Sequence, residues 1–226
     1  MQRFYFPNLE KKDDNIIIKN PELLNQMIKV LRVKENEFSF FNGEDNIDYI
    51  FKIISIDKRE IYLEKQESEN DSEIDFDLNI FALPNKLDKI EYIIGKVEVV
   101  TGFYFFRERS QKFNLSENKI ERLNKIIIEA VEQSRSRVPE LIIEDDLSLD
   151  YFKDNENLLF HTDTIKSTSL KDVKLNYDKG INLFVGPEFS EEEIEVFDNV
   201  FKKIFLNRIL RTETTVVASF FIIQNK

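Results

Sequence analysis

Near the C-terminus, Arg208 and Arg211 stand three residues apart, and Thr212, Glu213 and Thr214 follow directly. Behind them the run Val216–Ile223 is almost wholly apolar and reads as a buried helix. A guanidinium keeps its charge and donates paired N–H bonds to an oxyanion. The first turn of a helix adds backbone N–H groups that lack partners. Two arginines at such a place could seat an anionic group or could pair with acidic surface neighbours, and the residues alone leave both open. Thr212 or Thr214 is expected to cap the helix. A second stretch, "INLFVGPEFSEEE" from Ile181, runs from a continuous apolar strand through Gly186, Pro187 and Glu188 to a Ser190–Glu193 capping box. Ligands of open α/β sheets bind where strands end and helices begin. Gly186 permits close backbone approach and Pro187 stiffens the turn, although an ordinary strand-to-helix turn would look the same.

Further cations gather at the ends of expected elements. Arg107 and Arg109 are one pair, and Arg135 and Arg137 another. In the N-terminal part Arg3, Lys29, Arg32 and Lys34 form a basic group, with Lys29 and Arg32 expected one helical turn apart. The whole chain carries a net charge of −11, so a positive cleft would be a local departure. No cysteine is present, which excludes disulfides, thiolate metal sites and cysteine nucleophiles, and suits a reducing cytoplasm. The single histidine, His161, closes an apolar strand and is read as structural. A multi-histidine metal site is excluded, and no metal is expected. No apolar run approaches the ~18–20 residues of a membrane helix, so no membrane partner is expected.

These residues must be held by the elements around them. In the first part "RFYF", "NIIIK", "EFSFF", "DYIFKIISI" and "EIYLEK" read as strands, with "NGED" as a turn. Asn20 and Pro21 open a helix whose Leu23, Leu24, Met27, Ile28 and Leu31 share a face. This is a small β-barrel-like unit over residues 1–68. The acidic stretch 69–77 reads as a linker. Over 78–226, strands and helices alternate, which implies a parallel sheet covered on both sides. Strands are expected at Leu78–Leu83, Phe103–Phe106, Glu140–Glu144, Asn157–His161 and Ile181–Val185. Helices are expected over Lys86–Val100, Ser116–Ser134 and Ser190–Ile204.

"MQRFYF", "MIKVLRVKENEFSFFNGE", "ERS", "IERLNKIIIEAVEQSRSRVPE", "FVGPEFSEEE" and "LNRILRTETTVVA" occur here in one order. On these stretches the chain resembles, over nearly its whole length, the RsmE-type 16S ribosomal RNA (uracil-N3) methyltransferases of the SPOUT class. The resemblance implies an α/β fold: a SPOUT-type, trefoil-knotted parallel-sheet domain preceded by a small PUA-like β-barrel that helps bind RNA. It implies a homodimer that uses S-adenosylmethionine to methylate uridine N3 in 16S rRNA of the small ribosomal subunit. By position, Leu183, Val185, Gly186, Pro187 and Glu188 match a first cofactor segment. Leu206, Asn207, Ile209 and Leu210 match a second, and Thr214 lies in the lead into the last helix. Arg211 or Arg109 is expected to stabilise a uracil anion, with Glu213 or Glu188 taking a proton. Arg3, Lys29, Arg32, Arg135, Arg137 and Arg208 are expected to meet RNA. The family's two glycines after Gly-Pro-Glu are missing here, where Phe189 follows Glu188 directly. A homologue that binds RNA or the ribosome without the cofactor is therefore the alternative reading.

Overall fold

The computed structural model describes residues 1–33, 37–45, 47–70, 76–106, 116–145, 149–160, 167–186, 200–206 and 210–226. The chain divides into two compact units, Met1–Glu73 and Ile74–Lys226. In the first, strands β1 (Arg3–Tyr5), β2 (Asn15–Ile18), β3 (Glu37–Phe41), β4 (Ile47–Ile56) and β5 (Ile61–Asn70) form a mixed sheet in the order β1-β3-β4-β5-β2. The long β4–β5 hairpin shifts register at Ile50/Phe51 and again at Ile53/Ser55, and such bulges bend and twist a sheet. β5 runs to Asn70, past residue 68, because its outer half stays paired with Ile47–Ile50.

One helical segment covers this unit's core. Asn20 accepts from Glu22 N–H and Leu23 N–H at 2.9 and 3.1 Å and starts α1 (Pro21–Asn25), which widens into a π turn over Gln26–Val30. Leu24 and Met27 are buried against Phe4, Phe40, Phe51 and Ile61, with Leu23, Ile28 and Leu31 packed beside them. The helical path stops at Val30. Arg32 turns into the left-handed region at φ 51°, and Val33 N–H donates to the Met27 carbonyl. Lys29 and Arg32 therefore do not share a helix face, contrary to expectation.

The second unit is built on seven parallel strands in the order β10-β12-β9-β11-β6-β7-β8. Their ranges are β6 Leu78–Ala82, β7 Gly102–Phe106, β8 Glu140–Glu144, β9 Glu156–Phe160, β10 Thr168–Ser169, β11 Ile181–Val185 and β12 Lys202–Phe205. Among the described residues three α-helices accompany them: α2 (Leu87–Ile94), α3 (Glu117–Ser134) and α4 (Thr212–Gln224). α2 packs against both α3 and α4, and α4 rests on β6 and β11. Ile90, Ile93, Leu123, Ile127, Val216 and Phe220 are buried in this layer. The opposite face carries an aromatic cluster in which Phe81 stacks on Tyr104 at 4.4 Å and packs on Phe152 at 4.7 Å. Gly102 belongs to that face, where a Cβ would lie 2.5 Å from the Tyr104 ring. Among the described residues no helix is long and apolar enough to cross a membrane.

Two helix expectations change. α2 ends at Gly95, not Val100, although Val97 and Val100 remain fully buried from the following loop. Residues 202–204, read as the end of a helix, lie in β12, where Ile204 faces the core between β9 and β10. The helix start at Ser190 and His161 lie outside the described residues.

Asparagines cross the middle of the sheet. Asn182 is fully buried on β11, with Asn79 of β6 and Asn157 of β9 at the same register on either side. Its Oδ1 accepts from Asn79 Nδ2 and Asn155 Nδ2, both at 2.9 Å. Its Nδ2 donates to Asn157 Oδ1 at 2.9 Å and to the Tyr151 carbonyl at 3.1 Å. Both donors and both acceptor sites of this amide are thereby satisfied. Asn182→Leu strands these partners without water, and a stranded buried polar group costs ~1–3 kcal/mol. We expect a total loss of about 3 kcal/mol, read from the urea midpoint of the full chain; a loss under about 1 kcal/mol contradicts the role of the amide.

Candidate functional site

The chain leaves β6 toward β7 and β8 on one side, while β11, β9, β12 and β10 occupy the other. The β6/β11 junction is thus the switch point, whose carboxyl edge is where open α/β sheets bind ligands. β6 ends at Ala82 and β11 at Val185, and Leu83 N–H ties the two exits by donating to the Val185 carbonyl at 3.3 Å. Gly186 follows, half-buried.

α4 runs antiparallel to these strands. Its far end is fixed at the amino edge, where Tyr177 Oη donates to the Ile223 carbonyl at 3.1 Å and Gln224 Nε2 to the Val99 carbonyl at 3.3 Å. Its first turn is fixed at the carboxyl edge. There Glu213 Oε2 lies 3.4 Å from Lys89 Nζ, at the start of α2 just beyond β6. The expected threonine cap does not form. Arg211 occupies the N-cap position with extended backbone and no side-chain cap, and its carbonyl accepts from Thr215 N–H. Among the described residues nothing claims the remaining N–H groups of the first turn, which stand beside an exposed guanidinium, an arrangement suited to negative charge.

The expected site residues now separate. Gly186, Leu206, Leu210, Arg211, Glu213 and Thr214 come from the ends of β11 and β12 and the start of α4, all at the carboxyl edge. Leu206 is half-buried, while Leu210 and Thr214 are exposed. Val185 is buried at the strand end. Leu183 is wholly buried mid-strand, paired on both sides, so its side chain packs the core and offers a ligand no surface. Arg109, Pro187, Glu188, Asn207, Arg208 and Ile209 lie outside the described residues.

Arg135 and Arg137 sit at the other edge. Arg135 closes α3 in the left-handed conformation at φ 59°. Arg137 reaches Asp77, just before β6, at 3.2 Å. Five residues of strand separate the two edges, roughly 16 Å at about 3.3 Å per residue. In the first unit, Lys29 and Arg32 are exposed. Arg3 corrects the expectation of a surface contact: it is 3% exposed, its Nε donates to Asp48 Oδ1 at 2.8 Å, and its guanidinium lies 3.9 Å from the Phe41 ring centre. Asp48 Oδ2 also accepts from Ser39 Oγ at 2.7 Å, so Arg3 belongs to a buried network.

Two features escaped the sequence reading. Lys89 was not singled out, since a lysine in a helix's first turn carries no local signal of its partner 124 positions on. The second is a pair of half-buried phenols: partial burial first, then Glu140, pushes Tyr104 far above the ordinary range, and partial burial with Glu144 raises Tyr151. Both stay protonated and donate to their carboxylates, Tyr104 to Glu140 at 3.0 Å.

Residues 72–224 match the family described as RNA methyltransferase domain. The ribosomal RNA small subunit methyltransferase E of Aquifex aeolicus is 28% identical, over 97% of this chain and 98% of its own length. The protein of the same name from Rickettsia conorii is 25% identical, over 96% and 92%. Among solved structures, the ribosomal RNA small subunit methyltransferase E of Neisseria gonorrhoeae, crystallised with S-adenosyl methionine, shares the fold. Its TM-score is 0.81 at 21% identity, covering 100% of this chain and 97% of that one. A putative methyltransferase of Legionella pneumophila with bound SAM gives 0.77 at 22% identity, covering 99% and 97%.

The pairing of Lys89 with Glu213 is checked by a double-mutant cycle, Lys89→Met with Glu213→Gln. Unfolding free energies should reveal a coupling of about 1 kcal/mol. Additive effects would mean that the pair does not hold the start of α4 to α2.

Proposed function

This chain belongs to the RNA methyltransferase domain family, and on that premise we propose that it methylates uridine N3 in 16S rRNA of the small ribosomal subunit, using S-adenosylmethionine. One observation carries the reading: the ends of β11 and β12 and the uncapped, arginine-led start of α4 share the carboxyl edge at the sheet's switch point. The edge fits such a cofactor, because Gly186 bears no side chain over half-exposed backbone and the first turn of α4 has N–H groups to spare. Gly186, Leu206, Leu210 and Thr214 would hold it, joined by Pro187, Glu188, Asn207 and Ile209, with Val185 contributing backbone. When bound, S-adenosylmethionine supplies an electrophilic methyl group on a sulfonium.

The protein's own work is positioning and control of charge. Uridine N3 carries a proton that must leave before or during attack, and the uracil then bears negative charge. Arg211, exposed where the helix dipole is also positive, stabilises that charge. Arg109 is a second candidate for the same task. Glu213 was expected to take the proton; with its carboxylate turned to Lys89 we assign it instead to aligning α4, and leave Glu188 as the candidate acceptor. Lys29, Arg32, Arg135, Arg137 and Arg208 are proposed to meet RNA away from the reacting base. The first unit is proposed to be the PUA-like barrel and the C-terminal segments the trefoil knot, a reading supported by the fold shared with the Neisseria protein. The cytoplasm is the proposed compartment.

A homodimer is part of the proposal. α4 is apolar on its outer side too: Phe221 is 54% exposed, beside half-buried Val217, Ala218 and Ile222. A partner copy would cover this strip. Sedimentation at micromolar concentration should give a dimer for the native chain and a monomer for Phe221→Glu, whereas a native monomer removes the dimer from the account.

The catalytic assignment is tested with Arg211→Ala. Methyl transfer to small-subunit rRNA should fall by about 10²-fold or more, in line with loss of one charge-stabilising donor, while S-adenosylmethionine still binds in calorimetry. Transfer near the native rate would take Arg211 out of the mechanism. Absence of cofactor binding by the native chain would favour the cofactor-free RNA-binding homologue.

A further inference from the structure

A cleft of about 680 Å³ opens in the first unit between the α1 segment and the turn joining β4 to β5. Among the described residues, four of its lining side chains are cationic: Lys19, Lys29, Lys58 and Arg59. One is acidic, Asp57, and its Oδ1 is held by Lys58 N–H within the turn. Lys19 shares Glu60 at 3.4 Å. Lys29, Lys58 and Arg59 have no side-chain hydrogen bond or ion pair among the described residues. Three cations around one cleft, unpaired among the described residues, stand out on a chain of net charge −11. The floor is apolar, made by buried Leu24, half-buried Ile28 and Ile56, which is 41% exposed. The start of α1 adds no free donors here, since Asn20 already accepts from its first N–H groups.

We propose that this cleft grips a single-stranded segment of the RNA substrate, with Lys58 and Arg59 on backbone phosphates and the Leu24–Ile28–Ile56 floor against a base or ribose. Charge complementarity selects the occupant. Clustered cations with few acids attract a polyanion, and phosphate contacts dominate the affinity of nucleic-acid complexes. An apolar floor beside cations suits unpaired nucleotides, whose faces are free to pack, better than a closed duplex. Lys58 and Arg59 occupy a turn at the tip of a bulged hairpin, positions that the strand and helix patterns gave no reason to select. The inference rests on the reading that the substrate is RNA and identifies which face of the first unit takes it.

The test uses the full chain with Lys58→Glu/Arg59→Glu, two exposed positions whose replacement leaves the core intact. Binding of a 16S rRNA fragment is followed by fluorescence anisotropy across a salt series, with S-adenosylmethionine titrated in parallel by calorimetry. Two lost phosphate contacts should reduce the slope of log K against log salt by about 1.4, with affinity down about 10-fold or more. Cofactor binding should be unchanged. Native affinity and slope in the variant would overturn the proposal while leaving the RNA reading standing. Failure of the native chain itself to bind the fragment would overturn both.

Discussion

The buried amide of Asn182 is the constraint on which the second unit turns. A parallel sheet of apolar strands has little to fix its register beyond alternation, and a one-residue slip would send the helix-facing residues to the opposite face. Asn182 removes that freedom, because its hydrogen bonds close only when Asn79 and Asn157 stand level with it. The same amide holds the Tyr151 carbonyl, and Asn157 Nδ2 holds the carbonyls of Phe152 and Val200. The ladder thus sets three strands and anchors the turns that lay Tyr151, Phe152 and Phe201 over the aromatic face. Once β6 and β11 are level, their exits are level too, and Leu83 can reach Val185.

From this register the site follows by packing. α4 lies on the two strands that the ladder aligns, fixed at one end by Tyr177 and Gln224 and at the other by the Lys89–Glu213 pair. Its direction, antiparallel to the strands, carries Arg211 and the uncapped first turn to the edge where β11 gives way to Gly186. The apolar residues of α4 have two duties. Val216, Phe220 and Ile223 face the sheet, and Phe221 faces outward. A helix with no polar side beyond its first turn explains why periodicity in this stretch looked like burial all round.

Much of this was legible in the sequence, and the gaps have physical causes. Strands such as Glu37–Phe41 and Ile181–Val185 were readable at their true limits because β-branched and aromatic runs end at turn residues. α2 was read too long: Val97 and Val100 continue the apolar spacing, yet Gly95 ends the helix and the loop buries them on its own path. β12 was taken for a helix end because four residues are too few to show a period. The asparagine ladder gave no local sign, for asparagine disfavours strands and its partners lie 25 and 103 positions away. Arg3 was grouped with surface cations by charge alone; only the fold brings Asp48 and Phe41 to it. Of the candidate site, the position of Gly186 after a buried strand and the arginine-led start of the last helix could be read, whereas Leu183 was included by position although its place mid-strand buries it.

The central claim is that a methyl donor sits at the carboxyl edge, where the β11 exit meets the start of α4. Amide hydrogen exchange of the full chain, with and without saturating S-adenosylmethionine, tests it most directly. The account predicts slowed exchange at Gly186 and at the first amides of α4, from Thr212 to Thr214, with little change at the amino edge around Asp77 and Arg137. Protection confined to that amino edge, or none anywhere, would contradict it.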